Sequence, residues 1–176
     1  MTSNQIHPLL EIEGLKVRFT TRSGTIRGAR GVDLHVGPGE TLGLVGESGS
    51  GKSVTVQAVM GLITTPGKIV AGDIRWKGRS LFGPGGKAYL KQVRGKEISM
   101  IFQDPMTSLN PVFTIESQIC EVLQHHLGMP KRRARDRAVE LLDLVNIPAP
   151  AKRVKQYPSE FSGGMRQRAM IAMALA

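Results

Sequence analysis

Eight consecutive residues, Gly46-Glu47-Ser48-Gly49-Ser50-Gly51-Lys52-Ser53, follow the pattern G-x-x-x-x-G-K-S/T. Glycine has no Cβ and takes positive φ freely, so successive backbone N–H groups in such a loop can converge on one anion. A helix starting directly after the loop adds the free N–H donors and partial positive charge of its first turn. Lys52 would reach β- and γ-phosphate oxygens, and the Ser53 hydroxyl would ligate Mg²⁺. The chemistry served by this spacing is the capture of a nucleoside triphosphate with its metal. The bland alternative is a chance Gly/Ser-rich turn, which needs neither an apolar strand before it nor a helix after it.

A second group, Ser162-Gly163-Gly164-Met165-Arg166-Gln167-Arg168, follows Pro158-Ser159-Glu160-Phe161. Small residues at a helix start leave several N–H groups open to an anion. No strand precedes it, so it is not a second phosphate loop. Taken alone it reads as an ordinary helix start with Ser162 as N-cap.

The elements that must carry these residues follow from periodicity. Leu9 to Phe19 alternates apolar and polar residues, as does Gly31 to Val36, and both read as half-buried strands. Thr41 to Val45 is almost wholly apolar, the mark of a strand buried on both faces, and it runs into the glycine loop. A helix is expected from Ser53 to about Ile63, then β structure from Ile69 to Trp76, a loop at Gly83–Gly86 and another buried strand from Glu97 to Phe102. After Asp104-Pro105 the spacing turns helical. Ile115, Ile119, Val122 and Leu123 form one apolar face, and Ala134, Ala138, Leu141, Leu142 and Val145 another, with Gly128-Met129-Pro130 between them. Ile147 to Pro150 ends the second helix, and a third starts near Ser162.

Composition narrows the class. The 176 residues are 40% hydrophobic, enough for a core, and the 21 glycines and 10 prolines show no three-residue period, which excludes collagen. The single cysteine, Cys120, permits neither an internal disulfide nor a Cys-based zinc site, and its place on an apolar helix face reads as core. No run is long enough to span a bilayer, and Met1 to Leu10 is not a secretory signal, so a cytosolic location is expected. The net charge is +10, densest at Lys131, Arg132, Arg133, Arg135 and Arg137. This run reads as the solvated face of a helix, since no aromatics interleave with it to stack on single-stranded nucleic acid.

Together the two glycine motifs resemble those of the ATP-binding subunits of ABC transporters. Gly46–Ser53 matches the Walker A phosphate loop. Ile101-Phe102-Gln103-Asp104 looks like the Q-loop, and Ser162–Met165 like the signature Leu-Ser-Gly-Gly-Gln, with Phe161 in place of Leu and Met165 in place of Gln. The order is the family's, with 51 residues from Lys52 to Gln103 and 59 from Gln103 to Ser162. Gly46-Glu47-Ser48, the run from Gln103 to Pro111 and that from Tyr157 to Arg168 resemble the oligopeptide/dipeptide importer branch, which also serves nickel. The resemblance covers about Leu9 to Ala176. It implies an α/β fold: a P-loop NTPase core of ABC type with an N-terminal antiparallel β part and a helical subdomain, incomplete at the C-terminus. Residues 9–104 would be the core, 105–160 the helical subdomain and 161–176 the signature loop and helix.

The resemblance further implies ATP and Mg²⁺ as ligands, sandwiched between the phosphate loop of one subunit and the signature of a second. Ser162, Gly163, Gly164 and Met165 would act in trans, while Gln103 and Ser53 would contact Mg²⁺. Phe19 is the candidate for stacking on adenine, with ordinary core as its alternative role. Implied partners are a second ATP-binding subunit, transmembrane permease subunits and, indirectly, an extracytoplasmic solute-binding protein, with no nucleic acid. The place of work would be the cytoplasmic face of the membrane.

The family's Walker B strand ending in Asp-Glu and its switch histidine are not among these residues. His7, His35, His125 and His126 all precede the signature. The expectations that follow are a truncated chain, no turnover by these residues alone, and a phosphate-loop strand at Leu42–Val45 short of a neighbour. The competing readings are a nucleic-acid-associated ABC-type ATPase and a nucleotide-binding fragment that does not hydrolyse.

Overall fold

The computed structural model describes residues 8–103 and 108–176. It divides into two compact units, one ending at Val93 and one beginning at Arg94. The expected motif residues Asp104 to Thr107 lie outside the described residues.

In the first unit, β1 (Leu10–Thr21) and β2 (Gly24–Val36) form an antiparallel hairpin in register from Leu10↔Val36 to Thr21↔Gly24. The other side of β1 pairs with β3 (Gly67–Trp76), with Phe19 opposite Gly67, and the short β4 (Arg79–Ser80) completes the order β2-β1-β3-β4. Alternation explains the burial: Leu15 and Val17 are inward, Lys16 and Arg18 outward. Ile12 is also inward, three residues before Leu15. The extra residue is absorbed at Gly14, where φ is +58° and the ladder register shifts. There the Asp33 carboxylate accepts from the Gly14 N–H at 2.6 Å. Arg75 draws β1 and β3 together, lying 3.3 Å from Glu11, 3.1 Å from Glu13 and 3.1 Å from Asp73.

The helix after the glycine loop is α1 (Lys52–Val59), with Thr55, Ala58 and Val59 buried. It stops short of the expected Ile63. A helix not foreseen, α2 (Gly86–Val93), follows the Gly83–Gly86 loop. Only Leu90 and Val93 give it helical spacing, too few for a periodicity signal.

Two expected strands are absent. Thr41–Val45 has no ladder partner among the described residues; Leu42 is 45% exposed, Leu44 43% and Val45 93%. Glu97–Phe102 forms only an isolated parallel bridge, Arg94↔Ile98. A strand is defined by its ladder, and an apolar run with no neighbour to accept its N–H groups is not one, whatever its propensity.

The second unit is helical. It contains α3 (Ile115–Leu127), α4 (Lys131–Leu144), the single turn α5 (Pro150–Arg153), a 3₁₀ turn (Pro158–Glu160) and α6 (Gly163–Ala174). The expected faces do form its core: Ile115, Ile119 and Leu123 meet Ala134, Ala138, Leu141 and Leu142, closed by Phe161, Ala169 and Met170. Cys120 belongs to this core, and burial pushes its thiol pKa up, which keeps it protonated and unreactive. The basic run stands on the outer face of α4, where Arg135 pairs with Glu116 and Arg137 with Glu140, both at 2.8 Å. No helix among the described residues is long and apolar enough to cross a membrane.

Candidate functional site

The loop is exposed from Gly46 to Ser50 and delivers the chain through the half-buried Gly51 into α1. Gly49 and Gly51 have φ of +79° and +96°. At Gly51 glycine is required twice over, because a Cβ would also run into the carbonyl oxygen of Gly28 on β2. The Gly51 carbonyl accepts from the Thr55 N–H at 2.9 Å and the Thr55 hydroxyl at 3.0 Å, which locks the first turn of the helix.

No side chain caps α1. Its first-turn N–H groups are therefore open to an outside acceptor. The Lys52 ammonium curls back over the loop, donating to the carbonyls of Gly46 at 2.7 Å and Glu47 at 2.8 Å and to the Ser50 hydroxyl at 3.2 Å. Ser50 N–H in turn donates to the Glu47 carbonyl at 3.2 Å. The result is a cation and free amides gathered at one exposed helix start, with the exposed Ser53 hydroxyl beside them. A polyphosphate with a divalent cation fits that donor set, since its oxygens can replace the acceptors that now occupy Lys52.

Phe19 belongs to the same unit. Its ring lies against two glycines on the flanking strands, with Cε2 2.6 Å from where a Gly28 Cβ would stand and Cε1 2.6 Å from that of Gly67. Val54 of α1 is 3.1 Å from the same Gly28 position. The ring is half-buried on the side of the sheet from which α1 is reached.

The other expected residues lie in the second unit. Gln103 is exposed in a bend after the exposed Ile101 and Phe102. Ser162 is the N-cap of α6, its hydroxyl accepting from Met165 N–H at 3.3 Å, and Gly163 and Gly164 border open space. Met165 packs against the helical core, which gives that departure from the signature an apolar role. Upstream, Glu160 caps its own 3₁₀ turn by accepting from Tyr157 N–H at 2.7 Å, and Gln156 donates to the same carboxylate at 3.1 Å. The Arg166 guanidinium donates to the carbonyls of Phe161 at 2.7 Å and Pro158 at 3.3 Å. In the sequence Arg166 stands out only as part of a motif, and Gly28 and Gly67 not at all. A side chain bonding to backbone carbonyls leaves no signal in residue type. Among the described residues no group of three or more His, Cys, Asp or Glu side chains is placed to hold a metal.

Residues 29–176 match the ABC transporter family. The chain is 56% identical over 169 residues to the oligopeptide transport ATP-binding protein OppD of Bacillus subtilis, covering 96% of this chain and 47% of that one. It is 49% identical over 168 residues to the dipeptide transport ATP-binding protein DppD of the same organism, covering 95% of this chain and 50% of that one. The chain thus spans about half the length of the curated relatives it matches. Among solved structures, the dimeric ATP-binding cassette MJ0796 in a post-hydrolysis state with ADP and Pi superposes with a TM-score of 0.82 at 24% identity, over 95% of this chain and 69% of that one. CbiO1 from Clostridium perfringens, part of an ABC transporter complex, gives 0.71 at 21% identity, over 96% of this chain and 61% of that one. Both show the fold.

Proposed function

Because this chain belongs to the ABC transporter family, we propose that it is the ATP-binding part of a peptide importer's energising subunit. The observation that carries this is the phosphate loop: Lys52 and the uncapped start of α1 converge at an exposed, glycine-shaped turn. Gly46–Ser53 binds the triphosphate. Lys52 neutralises its charge, the α1 N–H groups orient it, and the Ser53 hydroxyl would hold Mg²⁺. That ion supplies charge neutralisation at the β/γ oxygens. Ser162, Gly163 and Gly164 present open N–H groups to the γ-phosphate held by a partner copy, and Phe19 stacks on adenine. The peptide class rests on the relatives named for oligopeptide and dipeptide transport. The helical unit serves the permease partners. Hydrolysis needs a carboxylate to orient water, and no residue here is assigned that role.

The test has two stages. Titration with a fluorescent ATP analogue should give saturable, Mg²⁺-dependent binding that Lys52→Ala weakens by about tenfold or more without loss of fold. The full chain, reconstituted with its permease in proteoliposomes, should drive ATP-dependent uptake of a labelled oligopeptide. Equal ATP affinity in the Lys52 variant would refute the site, and uptake of another solute alone would refute the peptide class. The nucleic-acid reading would require tight binding with a steep salt dependence. The relatives do not favour it.

A further inference from the structure

We propose that Arg166 is a positioning residue that sets the direction of the Ser162 N–H. The inference rests on the trans role of the Ser162 segment proposed above. Arg166 lies in the first turn of α6, its backbone N–H bonded to the Ser162 carbonyl at 2.9 Å. Its side chain turns back along the incoming chain and holds the Phe161 carbonyl at 2.7 Å and the Pro158 carbonyl at 3.3 Å. The peptide joining Phe161 to Ser162 is planar, and across a trans peptide C=O and N–H point in opposite directions. Clamping the Phe161 oxygen toward Arg166 therefore turns the Ser162 N–H away from Arg166. The Phe161 ring, 3% exposed in the helical core, fixes the other end of the same unit. The Ser162 hydroxyl, bonded to Met165 N–H, secures the residue that follows.

The arrangement is not the most stable use of the position. The Arg166 Nε is buried and has no hydrogen-bond partner among the described residues. A buried, charged donor left unpaired costs stability, and an aliphatic side chain would pack there without that cost. What the guanidinium alone supplies is two directed bonds to two carbonyls of the loop. Met165, one residue earlier, has no donor to do this. The consequence is that the loop is held at the Phe161 and Pro158 carbonyls by a charge, while the space at Gly163 and Gly164 stays open.

The experiment compares Arg166→Met, close in volume but without donors, and Arg166→Lys, which retains one charged donor, in the full chain. Three quantities are read for each: Mg-ATP affinity at low protein concentration, ATP-dependent self-association by sedimentation, and the melting profile. Arg166→Met should bind ATP within about twofold of the parent and melt cooperatively. Its ATP-dependent self-association should weaken by about tenfold or more, the scale of one lost charge-assisted contact, with Arg166→Lys recovering part of it. Parent-like association of Arg166→Met would overturn the proposal. So would parallel loss of ATP binding and cooperative melting in both variants, which would make Arg166 a general stabiliser. If the parent binds ATP without associating, the trans reading of Ser162 itself fails, and the clamp is then left with no phosphate to aim at.

Discussion

At the scale of single residues, Lys52 is committed to its own loop, bonded to two carbonyls and a hydroxyl. On the proposed reading, phosphate binding is an exchange of acceptors around a cation already in place. Lys52→Ala removes a charge-assisted contact, so ATP affinity should fall by about 1.5–3 kcal/mol. Isothermal titration on a variant with an unchanged melting curve checks this. Phe19 requires a sharper comparison, because its half-buried ring could serve the sheet or the adenine. Phe19→Ala should weaken ATP by about 1 kcal/mol and leave inorganic tripolyphosphate unaffected if the ring stacks on the base. Equal losses for both ligands would make it core. The glycine loop could be picked out from the chain because its residue types are the chemistry proposed for it, whereas Ser162 and Gln103 stand out only through the resemblance to the family's motifs. Gly28, Gly67 and Arg166 could not, because each acts through backbone atoms that a sequence does not display.

At the scale of elements, β1, β3, the Gly31–Val36 end of β2 and the three long helices follow from alternation and helical spacing within single segments, and they were legible; the Gly24–Arg30 part of β2 was not. What failed was Thr41–Val45 and Glu97–Phe102, where the apolar pattern marks a demand for neighbours on both sides that local sequence cannot supply. Ser162 as N-cap makes a direct prediction. Ser162→Ala should cost about 0.5–2 kcal/mol in denaturant unfolding of the helical unit, with Ser162→Asp close to the parent. A pH effect belongs to α3. The His126 ring lies against the Gly95 backbone, where a Cβ would come within 2.5 Å of Nε2. Burial first, then the neighbouring His125 and Lys96, pull its pKa below the usual 6.5. The native state therefore binds fewer protons than the unfolded chain as pH falls through about 6.5 toward the lowered value. The contribution of His126 is complete above that range and is lost on acidification. Chemical denaturation at pH 7.5 and pH 5.5 should show the loss, and His126→Gln should flatten it.

At the scale of the whole molecule, the phosphate loop belongs to one unit and the Ser162 segment to the other. If each nucleotide is shared between copies, a mixture of Lys52→Ala and Ser162→Arg chains retains one intact composite site per pair. ATP-dependent pairing should then appear in the mixture and not in either variant alone; pairing of neither the parent nor the mixture would refute the sharing. One contact has a longer reach than any assay. Gly51 cannot gain a side chain because of the Gly28 carbonyl, and a Cβ at Gly28 would strike the Phe19 ring, which also rests against Gly67. Four positions distant in the gene thus depend on one another for room. Mutational drift that alters codons one at a time meets a clash at any of the three glycines, and enlarging the aromatic drives it into the strands at Gly28 and Gly67. Lineages descending from this sequence should hold all four letters together or replace them together, so recombination between diverged copies with a crossover inside this stretch should yield misfolded hybrids more often than one outside it.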